Sequence, residues 1–381
     1  MRRMKGAAGL LTALLLAFQL SAQTFALANE DNGIKVVPVN FTHNGYSYEI
    51  EGVAKSTDGD YQMKSPARLA ARKLPSTYDP RSSGEITTVK DQASTGACWA
   101  FSALACAEQD LIKKGLENPS AEFSVPALVL SSNSGTATGK DDFSSGGNWL
   151  FAASALANGQ GLCYEDYEPF LESGTENMIV SENKKSVSEY RLNYVMELSS
   201  TTQVKRKIME LGAVSASYFA GNGYMNHNNT AYYDPDASKN TIINHSVIVV
   251  GWDDNYSKDN FRYKPANNGA WLVKGSWGAD QDNDGFYWVS YDEAEFGQFC
   301  CYDFEESCDN TYHYSKMTGY VVNASNDGSV YGANVFTAKA DEKLDKAGFM
   351  YVGKTGSADY TLSVYTNVSD SDPIGVLETQ I

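Results

Sequence analysis

The sequence predicts an α+β protein of two lobes followed by an all-β tail. Helical patterns come first, at about 98–114, 147–158 and 201–211. Strand-like runs follow at Ile242–Trp252, Ala270–Lys274 and Phe286–Tyr291, rich in β-branched and aromatic residues. Helices before strands within one stretch suit an α+β body. Beyond about residue 312 the pattern changes again, to short apolar runs punctuated by Gly, Asn, Asp and Ser.

Each element has a local cause. The run from Trp99 through Phe101, Ala103, Leu104 and Leu111 to Ile112 is built of helix formers with a broad apolar face, and Gly115 supplies the stop. Gly159 closes the second helical pattern; Thr201 opens and Gly212 closes the third. In the tail the runs are Tyr320–Val322, Val335-Phe336, Phe349–Val352, Tyr360–Tyr365 and Val376-Leu377. The span 312–381 is shorter than the roughly 100 residues of a typical sandwich, so a sandwich-like domain there is expected to be incomplete.

Whole-chain properties narrow the function. The chain has 381 residues and a net charge of −17, which argues against a phosphate-binding surface and hence against nucleic acid. Arg2, Arg3 and Lys5 precede an apolar run, Ala7 to Leu20, and the small-x-small triplet Ala26-Leu27-Ala28. This is a secretory signal pattern, too short for a membrane span, so residues 1–28 are expected to be removed and the product exported. Residues 29–73 are polar and mixed, ending in Arg68, Arg72 and Lys73, and read as a leader or short pro-region. The six cysteines, Cys98, Cys106, Cys163, Cys300, Cys301 and Cys308, have neither zinc-site nor disulfide-scaffold spacing. No cofactor is called for.

The chemistry concentrates around Gly96-Ala97-Cys98-Trp99-Ala100-Phe101, with Gln92 upstream. Cys98 opens a helix, where unpaired N–H groups and the helix dipole favour a thiolate. Alone it would read as a small buried hydrophobe. A thiol nucleophile needs a base and donors for the oxyanion formed on attack. Of the four histidines, His43 lies in the leader, His313 in the tail and His227 in an Asn-rich loop. His245 begins the apolar run Ser246–Trp252, which would carry its imidazole to the edge of a core.

These residues, with Val89-Lys90-Asp91-Gln92, Ser145-Gly146-Gly147, Asn244-His245-Ser246-Val247 and Ser276-Trp277-Gly278, resemble the papain-like cysteine peptidases in order and spacing. His245 lies 147 residues beyond Cys98, inside the 130–150 range of that family. The resemblance implies a papain-like fold over 74–305, with a helical lobe plus a β-barrel-like lobe. It implies Cys98 as nucleophile, His245 as its partner in a thiolate–imidazolium pair, and Gln92 as oxyanion donor. Gly146 and Gly147 would bind substrate backbone. Trp149, Ser217 and Ile243 would line a side-chain pocket, and Asn244 and Trp277 would also contact substrate, with Trp277 shielding the base. The implied substrates are polypeptides. The tail, 312–381, resembles a lectin-like β domain found after such peptidases in bacterial exported proteins, which implies a glycan or cell-surface ligand and an extracellular location.

Three departures qualify the resemblance. Thr95 and Ser144 stand where the family has a disulfide, so both ends of that bridge are missing together. Gly275 stands where the family has the asparagine that orients the imidazole. Gln281 replaces a tryptophan common in the family. A slowed peptidase is expected, with a non-catalytic surface-binding protein and a transpeptidase as the competing readings. Asp280–Gly285 fits the first half of a calcium loop, but Tyr291 stands where the bidentate Glu belongs, so an acidic turn without metal is expected.

Overall fold

The computed structural model describes residues 13–21, 35–43, 46–54, 74–132, 143, 146–157, 162–167, 169–170, 189–221, 223–236, 243–279, 283–307, 310, 312, 329–344, 347, 359–366 and 376–380. The chain divides into two compact units, Arg72–Thr318 and a second formed by Met1–Ala71 with Gly319–Ile381.

In the second unit, strand β1 (Ala13–Ser21) overlaps the apolar run of the expected signal. Strands β2 (Lys35–His43) and β3 (Tyr46–Ala54) form an antiparallel hairpin. The larger unit opens with β4 (Thr77–Tyr78) and continues with α1 (Cys98–Lys113), α2 (Val125–Ser132) and α3 (Trp149–Ala157). Then come β5 (Tyr190–Glu197), α4 (Thr201–Leu211), β6 (Val214–Tyr218), β7 (Ala231–Tyr232), β8 (His245–Asp253), β9 (Ala270–Lys274), β10 (Phe286–Ser290) and β11 (Gly297–Glu306). Strands β12 (Ser329–Thr337), β13 (Asp359–Thr366) and β14 (Val376–Gln380) join β1 in a four-stranded sheet of order β12-β1-β13-β14. Among the described residues this is the sheet of the second unit besides the hairpin. The runs Tyr320–Val322 and Phe349–Val352 lie outside them, as do the expected cleavage site and the basic residues Arg68, Arg72 and Lys73.

The eight-stranded sheet of the larger unit runs β5-β11-β6-β8-β9-β10-β7, with β4 pairing on β8. Its order is open, which corrects the expectation of a β-barrel-like lobe. Closure requires the two end strands to pair, and here β5 and β7 stand at opposite ends of the order. β7 has two residues, both spent on a parallel pairing with β10. The lobe is a mixed open sheet beside helices.

Helix α1 explains why the site sits where it does. It buries Trp99, Phe101, Leu104 and Leu111 against α2, α3 and one face of the sheet, in a core that also holds Ile248, Leu272, Cys300 and Tyr302. Its N-cap is Ala97, with no capping side chain, so first-turn N–H groups stay available. At its other end Gly115 adopts φ 70° and donates to the Ile112 carbonyl at 2.9 Å. The opposite face of the sheet packs on α4 through Val204, Ile208 and Leu211, with Val247, Val249 and Val273. Strand β8 is therefore buried on both faces along most of its length, which suits its β-branched run.

Candidate active site

Cys98 is the first residue of α1 and His245 the first of β8. Helix α1 packs on β8, Ser102 Oγ donating to the Val247 carbonyl at 2.8 Å. The starts of the two elements lie near one another, with Cys98 one turn before Ser102 and His245 two residues before Val247. Burial pushes the Cys98 thiol up. His245 is 5% exposed, and burial alone brings its imidazole down to about 4. Both shifts favour the uncharged pair, opposing the thiolate–imidazolium pair that the resemblance implied.

The imidazole is held by rings. It stacks on Trp277 with centroids 4.2 Å apart and planes 10° apart, and meets Tyr218 edge-on at 5.9 Å. Its Nε2 is buried with no hydrogen-bond partner. The register explains the vacancy. β8 pairs with β9 through Ile248↔Lys274, so continuing that pairing brings His245 opposite Trp277 and Val247 opposite Gly275, all on one face. Gly275 supplies no side chain to that face. A Cβ there would make ordinary contacts, 3.4 Å to the Tyr287 ring and 3.6 Å to the Gly285 carbonyl oxygen.

Gln92 is 6% exposed and its amide is oriented from both ends. Its Nε2 donates to the Thr95 carbonyl at 2.8 Å, and its Oε1 accepts from Ser276 Oγ at 2.6 Å. One hydrogen of the amide remains for an oxyanion. Ser276 was not singled out in the sequence, where it stands only as the residue before Trp277.

The expected substrate-contacting residues fall into two groups. Gly146 adopts φ 72° with open space beside it, whereas a Cβ on Gly147 would run into the Trp99 indole, so only glycine lets the chain pass there. Trp149 opens α3 behind Asn148, whose Oδ1 accepts from Leu150 N at 2.9 Å. Ser217 is buried on β6, its Oγ 3.0 Å from Ser246 Oγ. Ile243 and Trp277 are exposed at 37% and 39%, so both present apolar surface to solvent. Asn244 ties the start of β8 to Ala220, accepting its N–H at 2.7 Å. Ser144, Cys308, His313 and residues 280–282, the first half of the expected acidic turn with Gln281 in it, lie outside the described residues.

A buried charged network also escaped the sequence reading. Glu108 on α1 is 1% exposed. It accepts from Lys90 Nζ at 3.0 Å, Phe123 N at 3.1 Å and Thr87 Oγ1 at 3.0 Å. Lys274, the residue before Gly275, donates to the same Thr87 hydroxyl at 2.7 Å, and burial lowers its ammonium to about 8. The network fastens the Thr87–Lys90 segment, α1 and β9 to one another. The detectable signal was Glu108-Gln109-Asp110, three polar residues within an otherwise apolar helix. Cys106, Cys300 and Cys301 are buried, and burial pushes each thiol up, as suits inert core cysteines.

Residues 74–310 match the papain family cysteine protease, and 311–378 match the lectin-like domain. The chain belongs to the papain family of cysteine proteases. Among curated relatives, mouse cathepsin K is 24% identical over 216 residues, covering 56% of this chain and 59% of its own length. Human cathepsin L2 is 26% identical, covering 58% and 62%. The chain thus spans about three fifths of the length of these relatives. Two solved structures of Cwp84, a surface layer associated protein of Clostridium difficile, are similar at 31% and 30% identity, each with a TM-score of 0.56. The first, the cysteine protease after propeptide cleavage, covers 61% of this chain and 59% of that one. The second, comprising the cysteine protease and lectin-like domains, covers 62% and 53%. No helix among the described residues is long and apolar enough to cross a membrane.

Proposed function

We propose that this protein is an exported endopeptidase that cleaves peptide bonds through a thioester on Cys98. The observation that supports the reading is the packing of α1, which Cys98 opens, on β8, which His245 opens, with Ser102 Oγ donating to the Val247 carbonyl at 2.8 Å. Neutral His245 takes the thiol proton as the sulfur attacks the substrate carbonyl. The oxyanion is received by the free hydrogen of the Gln92 amide and the Cys98 N–H. His245 then returns the proton to the leaving amine, and water releases the acyl group. Substrate lies extended along Gly146 and Gly147, with a side chain directed towards Trp149, Ser217 and Ile243. Asn244 holds the β8 start and Trp277 covers the base.

Residues 1–28 act as the export signal in this proposal and 29–73 as a leader. The match to Cwp84, described as surface layer associated, supports an extracellular surface location. The lectin-like match supports a glycan or cell-surface ligand for the tail. The test is hydrolysis of unstructured polypeptides by the processed chain, beside Cys98→Ala. Cys98-dependent cleavage is expected, and its absence on every peptide tried would refute the proposal.

The partnerless Nε2 of His245 favours one second reading, a binding protein on a peptidase scaffold. Labelling of wild type but not Cys98→Ala by a thiol-directed epoxide would count against it. Transfer to an added amine, seen by mass spectrometry of the products, would identify a transpeptidase instead.

A further inference from the structure

The sheet face that carries His245 also carries a buried tyrosine pair that the proposed chemistry leaves unused. Tyr218 of β6 pairs in register with His245, and Tyr287 of β10 with Val273. With β8 and β9 between them, their strands stand three spacings apart, about 14 Å. Their hydroxyls nevertheless bond to each other at 2.8 Å, so both side chains lie across the face rather than upright on it. Both are buried in the core that holds Val247, Val249 and Val273. Tyr218 is wedged against Tyr232 and Phe296, with ring centroids 5.0 and 5.5 Å away. Tyr287 stands beside the missing side chain, since a Cβ on Gly275 would lie 3.4 Å from its ring.

We propose that Tyr218 and Tyr287 are positioning residues for the base: the bond between their hydroxyls closes a circuit of rings that holds the His245 imidazole in place. The circuit runs from His245 to Trp277, stacked at 4.2 Å, and from Trp277 to Tyr287, stacked at 6.4 Å with planes 12° apart. It returns from Tyr287 to Tyr218 through the hydroxyls, and from Tyr218 to His245 edge-on at 5.9 Å. A stack alone lets an imidazole turn within its own plane, and an edge contact alone leaves it free to tilt. The two together fix both motions, provided that their rings keep their separation. The hydroxyl bond is the directional link that sets it. The need is local. His245 Nε2 has no hydrogen-bond partner, and Gly275 brings no side chain to this face. Trp277 is itself partly open to solvent, so its place over the imidazole depends on the buried ring behind it. The inference deepens the peptidase reading and rests on it for its catalytic meaning, but the order of the imidazole is measurable without hydrolysis.

The test removes both hydroxyls and keeps both rings. In Tyr218→Phe/Tyr287→Phe neither partner is left as a buried unpaired hydroxyl, so the fold is expected to survive. Two readings are taken on the full chain beside wild type. One is the picosecond–nanosecond order parameter of the His245 ring C–H in ¹³C-histidine-labelled protein, assigned by its loss in His245→Ala. The other is kcat and KM for one unstructured peptide. Ring order is expected to fall, with kcat down about tenfold and KM within about twofold, because a misaligned base slows the step without weakening the groove. A merely structural pair would leave both readings unmoved in a folded variant. Wild-type ring order, or wild-type kcat, in the folded variant overturns the proposal. Should the double variant fail to fold, Tyr287→Phe decides by the same two readings. Failure of the peptidase reading would look different: ring order falls as expected in a variant that, like wild type, cleaves no peptide, which sustains the ring circuit and refutes the peptidase.

Discussion

The sulfur side and the imidazole side of this site are furnished unequally. Cys98 opens a helix without a capping side chain, where first-turn N–H groups and the helix dipole are available to an anion. His245 lies among rings, stacked on Trp277 and edge-on to Tyr218, with its Nε2 unpaired. The first environment stabilises a charge that forms during reaction. The second fixes the plane of the ring and shields it, but supplies nothing that prefers an imidazolium to an imidazole. In an active site of this kind the nucleophile can be fully prepared while the base is only positioned.

The comparison can be broken most severely from the sulfur side. Cys98→Ala is expected to lower kcat by about 10⁴-fold or more, whereas a comparable residual rate would remove the thioester from the mechanism. Gln92→Ala is the next largest, with a fall of about 10²-fold in kcat measured at saturating peptide, because one oxyanion donor is lost. Beneath both halves, Glu108→Ala should cost about 3 kcal/mol in urea unfolding, since it strands Lys90 in a buried network. The smallest effect belongs to the imidazole side. With burial holding His245 near 4, the base is already deprotonated above that value, so kcat/KM should rise through an acid limb near pH 4 and stay level towards neutrality. A limb near 6.5 would mean that the ring is better solvated or better partnered than its surroundings imply.

Much of this was legible in the sequence because it is local. α1, β8, β9 and β10 are strongly periodic or β-branched runs, and their bounds fall within a few residues of the expected ones. β6 was not, since Val214-Ser215-Ala216-Ser217-Tyr218 is buried throughout yet alternates small polar residues with apolar ones. α2 was missed although Ser124 and Pro126 mark its start, with Ser124 Oγ accepting from Ala127 N at 3.1 Å. The barrel expectation failed for a long-range reason. Whether end strands meet depends on partners far apart in sequence, and a two-residue β7 leaves no pattern to read. The site showed the same division. Cys98, Gln92 and His245 stand in recognisable neighbourhoods, whereas Tyr287, Ser276 and Glu108 acquire meaning only from what they touch.

The central claim is that Cys98 and His245 cleave peptides with a base that lacks its orienting acceptor. Gly275→Asn tests it most directly, because a Cβ there meets only ordinary contacts and the position matches that of the family's orienting asparagine. The measurement is kcat/KM against pH for one peptide, wild type beside Gly275→Asn. The account predicts a gain of about tenfold at neutral pH and an acid limb moved upward, as a hydrogen bond to the charged ring requires. An unchanged rate and limb in a folded variant would contradict it.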